Sequence, residues 1–511
     1  MKSPSSCDEL LSSLRRQGVQ LWVEGGELRF KAPKGALPAE ARDELRRNRD
    51  EIICRLGHEG ISEEIPLIRR PPGCRVPLTA MQKRRWSRRN EERRYRLRTG
   101  VIATRVAGQF DSSLLQTALE KLIQRHEPLR TRIVPLGEIP YQQIDEPHPH
   151  YLHVIDLSGM TDGNAENALK DLLEEFTAEE VEFSIGPMFA TRLFKLSDTE
   201  HIFVIAFNHM ISDAVSNEIL RKEIWTQYDI LSRADQHHLP PLELQFADYA
   251  VWQEDSCHLW MKKHATYWRG RLQDARPTKF PDDLGLPQSQ PVGAQFELHL
   301  GLQLSNSIRQ MAQRQQCMLP LVVLSIYLLL VSSWCVQRDL LVRLISNARY
   351  RPELETMIGF VANHLYLRLE LRPNDTFLDF MKRVQLEFYA AYDHLDFDRV
   401  PDLVPQCRNT DLCFNWASEN RWFMERPQET VGKLTLQSYP LSSARVVDFM
   451  PFFFDGSSGI TGTVLYRSDR FSLTTARWLE AEFGRFSERC VQNPSVRLEL
   501  ILPTRGRPLA S

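Results

Sequence analysis

The chain lacks a paired-cysteine pattern. Its nine cysteines, at 7, 54, 74, 257, 317, 335, 407, 413 and 490, are scattered over 511 residues, and no two form a CxxC pair. The odd total and wide spacing argue against a disulfide framework or zinc site, and for reduced thiols in a cytoplasmic protein. No metal is expected. A charge excess is lacking too. The formal net charge is −2 at pH 7, so the overall balance gives no reason to expect a nucleic-acid partner. The amino terminus, MKSPSSCDELLSSLRRQG, has no apolar core of signal-peptide length. Long uncharged runs are rare. The one that stands out, MLPLVVLSIYLLLVSSWCV from Met318 to Val336, reaches spanning length. Pro320, Ser325, Ser332 and Ser333 interrupt it, and the rest of the chain is polar. A helix buried between protein layers is therefore expected, with no membrane partner.

What remains is an ordinary soluble composition, 42% hydrophobic and 25% charged, long enough for roughly three folding units. Residues 1–57 read as helix–hairpin–helix. QLWVE and ELRFK flank Gly25-Gly26, a two-residue turn that tolerates positive φ at both positions. That turn pairs Val23 with Leu28 and Leu21 with Phe30 on one face, and Trp22 with Arg29 on the other. Leu10, Leu11 and Leu14 have helical spacing before the hairpin. After it, Pro38 suits a first helical turn, and Leu45, Ile52, Ile53 and Leu56 form a stripe. A module this small suits binding or dimerisation. Its edge can receive a peptide strand, with Trp22, Arg29 and Lys31 beside it; an ordinary solvated hairpin face is the plainer account.

Residues 58–76, rich in proline, glycine and charge, read as a linker. From Pro77 onward helices and strands alternate, with strand-like runs near 100–107, 190–196, 201–207, 340–345, 364–370 and 460–466. An α/β chain of two lobes is expected. The basic run KRRWSRRNEERRYRLR (83–98) reads as a solvated helix face or a docking patch for an acidic partner. DGSSG at 455–459 precedes a strand and reads as a loop.

The apolar run His201–Phe207 turns polar at Asn208, His209 and Asp213, within AFNHMISDAV. Two readings compete: a core histidine satisfied by a nearby acid, or a base delivered on a rigid strand. Six segments in order bear on the choice. PLTAMQKRRW (77–86), RHEPLRTRI (125–133) and NHMISDA (208–214) resemble those of nonribosomal peptide synthetase condensation domains. FADYAVWQ (246–253) is similar to the family's DYAxWQ. NARYRPELETMIGFVANHLYLR (347–368) is similar to GRxxxELExxIGFFVNTLPLR, and HLDFDRVPDLV (394–404) to HQDYPFExLV. Residues 1–57 separately resemble TubC-type docking domains.

The resemblance implies domains at 1–57 (docking), 58–76 (linker), 77–240 and 241–503 (amino- and carboxy-terminal lobes) and 504–511 (tail). It implies two chloramphenicol-acetyltransferase-like lobes in a V-shaped pseudo-dimer. An amine acceptor would attack an acyl or peptidyl thioester to form an amide. No bound cofactor is implied, because the substrates ride on the 4'-phosphopantetheine arms of donor and acceptor carrier proteins. The amino-terminal module would receive the carboxy-terminal docking peptide of an upstream synthetase. In the family's HHxxxDG motif the second histidine, His209 here, is tied to catalysis. Asp213 would pair with Arg349 from the other lobe, with Arg343 as the second choice, and so support the loop. Asn208 and Ala214 stand where the family has histidine and glycine. Asn208 keeps hydrogen-bonding capacity without titrating, and the added methyl of Ala214 either costs, if the backbone needs positive φ, or narrows the approach to His209. Ser216 is either an N-cap of a helix over 217–230 or a substrate contact. Asn363 matches a position near the donor channel, with a structural hydrogen bond as the plainer reading.

Three alternatives stay open: an ester-forming acyltransferase, a coenzyme A-dependent one, and a catalytically degenerate binding domain. No adenylation-type motif or carrier attachment site is found, so action in trans is expected unless the chain is part of a longer one.

Overall fold

A strand enclosed on both faces needs no polar alternation, and Glu200–Phe207 is such a strand. In the computed structural model it lies between Gly100–Ala107 and Phe189–Ser197, antiparallel to both, and every residue from His201 to Phe207 is buried. The structure describes residues 19–24, 27–31, 45, 65–90, 98, 100–137, 139–235, 237–281, 293–395, 399–417, 428–439 and 449–502. Phe203, Ile205 and Phe207 face a core completed by helices Ser112–Arg125 and Ala214–Ser232. Ile202, Val204 and Ala206 face the opposite core, capped by Leu169, Leu173 and Phe176 of helix Asp162–Ala178.

The first six-stranded sheet runs Glu429–Val431, Leu434–Ser438, Gly100–Ala107, Glu200–Phe207, Phe189–Ser197, His153–Asp156. The second runs Gly293–His299, Gly459–Arg467, Phe449–Gly456, Cys413–Ala417, Asp339–Ser346, Asn363–Glu370. Each sheet mixes parallel and antiparallel pairs. The chain halves interleave, because the hairpin Glu429–Ser438 completes the first sheet from late in the sequence. Arg221 pins it by donating to Glu429 at 2.8 and 3.2 Å. The DGSSG segment is the turn that joins two strands of the second sheet.

The uncharged run forms helix Leu319–Cys335, with Pro320 in its first turn and every residue from Leu321 to Trp334 buried. It is apolar all round because helices Gly301–Arg314, Phe377–Tyr392 and Leu473–Gln492 pack against it. Among the described residues no single helix is long and apolar enough to cross a membrane. Gly301–Arg314 and Leu319–Cys335 reach that length only as a pair, bent by 114°.

The chain divides into two units, 1–66 and 67–511. In the first, Gln20–Glu24 and Glu27–Lys31 pair antiparallel with Val23 opposite Leu28, Trp22 opposite Arg29 and Leu21 opposite Phe30. Arg29 is exposed, and so is Phe30, at 50%. The Gly25-Gly26 turn, the flanking helices apart from Leu45, residues 58–64, residues 91–97 of the basic run and the tail from 503 lie outside the described residues.

Within the stretch read as a linker, residues from Leu67 onward belong to the larger unit. Arg70 donates to Glu127 and Asp248, each at 2.8 Å, and Arg69 donates to the Glu243 carbonyl at 2.7 Å. Proline and glycine make this segment look loose, while its arginines fasten it to the large unit.

Candidate active site

Six residues separate the end of the buried strand from the helix that follows, and side chains hold them in place. Asn208, 0% exposed, donates its N–H to the Met188 carbonyl at 2.8 Å, and its Oδ1 accepts from the Met210 N–H at 2.9 Å. His209 is half-buried, and its Nδ1 lies 2.8 Å from the Ser212 carbonyl. A carbonyl only accepts, so Nδ1 carries the proton and Nε2 holds the lone pair of the neutral ring. The ring packs on Phe360, centroids 5.2 Å apart. His209 therefore sits where the two halves of the large unit meet.

Asp213 closes the loop as the N-cap of helix Ala214–Ser232. Its Oδ1 accepts from the Ser216 N–H at 2.9 Å and from Arg349 Nη2 at 3.1 Å. Its Oδ2 accepts from Arg349 Nη1 at 2.8 Å and from the N–H groups of Val361 and Ala362 at 3.1 and 2.9 Å. Burial pushes this carboxyl up. The Arg349 guanidinium and the Ser216 hydrogen bonds outweigh burial and hold it below the ordinary value. Arg343, the second choice, lies in strand Asp339–Ser346 opposite Tyr366.

Ser216 is not the N-cap. The helix begins at Ala214, three residues before the sequence reading placed it, because Asp213 takes the capping role. The Ser216 hydroxyl sits between Asp213 and the other half, 2.7 Å from Asp213 Oδ1, with the Gly359 N–H at 3.0 Å and Arg349 Nη2 at 3.1 Å. It is fully buried and engaged by these groups. Ala214 opens the helix and is absent from the positive-φ residues, so its methyl meets no backbone strain. Asn363 begins strand Asn363–Glu370. Its Oδ1 accepts from the His364 N–H at 2.6 Å, and its buried Nδ2 has no partner among the described residues.

The sequence reading missed how helix Ala80–Ser87 enters the site. Gln82, 0% exposed, donates to the Met210 carbonyl at 2.7 Å, beside His209. Two residues on, Arg84 approaches His364 Nδ1 at 3.3 Å. A guanidinium only donates, so that nitrogen accepts. A polar residue on a basic amphipathic helix gives no sequence signal of such contacts. In RHEPLRTRI, buried His126 lies 2.6 Å from Glu223. Burial holds it below the ordinary imidazole value despite the acid, so His126 is a neutral donor that fastens two helices. Among the described residues no group of three or more histidine, cysteine or acidic side chains could hold a metal ion.

A buried strand, a loop held by side chains, a half-buried imidazole and a carboxylate bonded to the opposite half fit the site that the sequence resemblance implies. The Condensation domain family model covers residues 74–504. This chain belongs to the condensation domain family. The TubC N-terminal docking domain model covers residues 7–56. Among curated relatives are two polypeptides of linear gramicidin synthase from Brevibacillus parabrevis. One is 26% identical over 86% of this chain, and the other is 30% identical over 64%. The chain spans about 6% of the length of each.

Among solved condensation-like folds, the X-domain from teicoplanin biosynthesis has a TM-score of 0.76 and 24% identity, covering 85% of this chain and 99% of its own. The EpoB cyclization–docking bidomain from Sorangium cellulosum has a TM-score of 0.67 and 17% identity, covering 96% and 99%. The two six-stranded sheets fit the paired acetyltransferase-like lobes that the sequence resemblance implies.

Proposed function

We propose that this condensation domain joins an amine to an acyl or peptidyl group held as a thioester on a carrier protein. The observation that carries the reading is His209, with Nδ1 bound to the Ser212 carbonyl and its lone pair on Nε2, where the two halves meet. The amine nitrogen attacks the thioester carbonyl carbon, a C–N bond forms, and the C–S bond breaks. One proton leaves the nitrogen through Nε2 of His209 and is returned to the departing thiolate. The loop's many anchors hold the imidazole in place, so part of the rate comes from geometry. Asn363 follows Val361 and Ala362, whose N–H groups donate to Asp213, and its buried Nδ2 suits a carbonyl of the donor arm. No resident metal or cofactor is part of this reading. The pantetheine arms arrive with the substrates.

The hairpin with Trp22 opposite Arg29 supports an amino-terminal module that takes up an extended peptide of an upstream synthetase along its edge, with the exposed Arg29 to meet acidic residues. A second reading draws on Asn208, which replaces the family histidine, and on the fold shared with an X-domain solved in complex with OxyB. In that reading the domain binds a protein partner without turnover.

Intact-mass measurement of a loaded donor carrier mixed with an amine-loaded acceptor carrier separates the two. A coupled product that disappears in His209→Ala supports condensation. Binding of the carriers with no product from any neighbouring pair supports the second.

A further inference from the structure

The loop carrying His209 is fastened on its amino-terminal side by Asn208 and at its far end by Asp213. The Met210 carbonyl between them is held by one side chain, Gln82. That amide cannot be turned around. The Thr79 N–H points at one end from 2.9 Å, so Oε1 must face it, and Nε2 must face the Met210 carbonyl at 2.7 Å and Gln142 Oε1 at 3.2 Å. Both amide hydrogens and the oxygen are thus engaged in a fully buried place, where an orphaned carbonyl is costly. The rest of the clasp is equally fixed. Gln142 donates to the Pro77 carbonyl at 2.8 Å, and Gln253 accepts from the Ala80 N–H at 2.7 Å. Three uncharged amides therefore set the position of helix Ala80–Ser87 against the loop, and none changes with pH.

We infer that Gln82 is a positioning residue for His209, acting through the Met210 carbonyl. Losing the amide leaves the Met210–Ile211 peptide held only at its N–H, by the Asn208 carbonyl at 3.1 Å, so its carbonyl end can tilt and the His209 backbone next to it moves with it. The Nδ1–Ser212 contact, which fixes the tautomer, then weakens. The inference rests on the condensation reading for its kinetic consequence, but its structural consequence stands without turnover.

The test uses the full chain with 15N-labelled histidine, the His209 signals being assigned by their loss in His209→Ala. In Gln82→Met the His209 ring nitrogens shift toward the average of two tautomers. With cognate carriers, kcat falls roughly ten- to a hundredfold while KM stays within about twofold. Gln82→Glu keeps the acceptor for Thr79 and loses the donor until the carboxyl is protonated. Its rate relative to the unaltered protein therefore rises as pH falls. Gln142→Met, which empties the same cluster without touching the loop, leaves the His209 signals in place.

Unchanged His209 signals in a folded Gln82→Met protein overturn the inference. So does a Gln142→Met protein that reproduces the same shift. If the unaltered protein couples no carriers, the condensation reading fails, and the ring signals still decide the role of Gln82.

Discussion

Arg349 meets Asp213 end-on, Nη1 to Oδ2 at 2.8 Å and Nη2 to Oδ1 at 3.1 Å, across 136 residues of chain. Both side chains are buried, at 4% and 1% exposure. Removing one partner of such a pair leaves the other charge out of water, at a cost of about 3–5 kcal/mol. Arg349→Ala should lose that much unfolding free energy in urea titration. Arg349→Lys should recover only part, since a lysine cannot reach both carboxylate oxygens and the Met357 carbonyl that Nη2 also serves at 3.0 Å. A loss under about 1 kcal/mol in Arg349→Ala would place the pair among weak surface contacts.

The same pair predicts an acid response. A carboxyl whose pKa is lower folded than unfolded stabilises the fold fully above its unfolded value, and this contribution is lost as pH falls through the folded one. Asp213 is such a group. In Arg349→Ala only the hydrogen bonds from Ser216, Val361 and Ala362 still oppose burial, so this variant loses less stability there on acidification. The gap in Tm between the two proteins should therefore shrink progressively below about pH 5. A gap that holds constant from pH 7 to pH 3 would assign the stabilisation to something other than the charge on Asp213.

The strand Glu200–Phe207, the buried helix Leu319–Cys335 and the hairpin register were legible because each depends on local patterning: an apolar run, its length and its flanking residues. The Asp213–Arg349 contact came through the family's motif order, since no periodicity links residues so far apart. Two features escaped for physical reasons. The hairpin Glu429–Ser438 completes a sheet whose other strands precede it by more than two hundred residues. Gln82 looks like any polar helix residue, because its burial depends on the loop that it clasps. Ser216 was read as a cap from its residue type alone, and only the bonding shows that Asp213, three residues earlier, fills the role.

Gly359 is required by space. A Cβ there would lie 2.1 Å from Phe246 Cδ2, while its N–H and carbonyl both contact the Ser216 hydroxyl. Neither partner can retreat without loosening the Asp213 network. Gly359→Ala should cost roughly 1–3 kcal/mol or more. Combining it with Phe246→Leu should give a smaller loss than the sum of the two single changes, a coupling of at least about 0.5 kcal/mol. Strict additivity in denaturant melts would show that the ring does not set the limit.

Asn208 decides whether the departures from the family motif matter. Its side chain is enclosed, and Oδ1 serves the Met210 N–H at 2.9 Å. That is a structural duty any well-placed acceptor can perform. Asn208→Ala strands a buried N–H and should cost about 1–3 kcal/mol. Asn208→His can present a ring nitrogen to the same N–H and should cost less. Ala214→Gly gains nothing from φ, because the residue opens a helix, and should lose roughly 0.5–1 kcal/mol through backbone entropy. On the proposed condensation reading the proton passes through His209 in every variant, so coupling in Asn208→His should stay within about threefold of the unaltered protein, a barrier change under the 1.36 kcal/mol of a tenfold effect. Rate and melting temperature measured together settle the point. If Asn208→His raised coupling a hundredfold while stability hardly moved, position 208 would hold a chemical role beyond its hydrogen bond to Met210. The native asparagine would then mark a site tuned away from turnover.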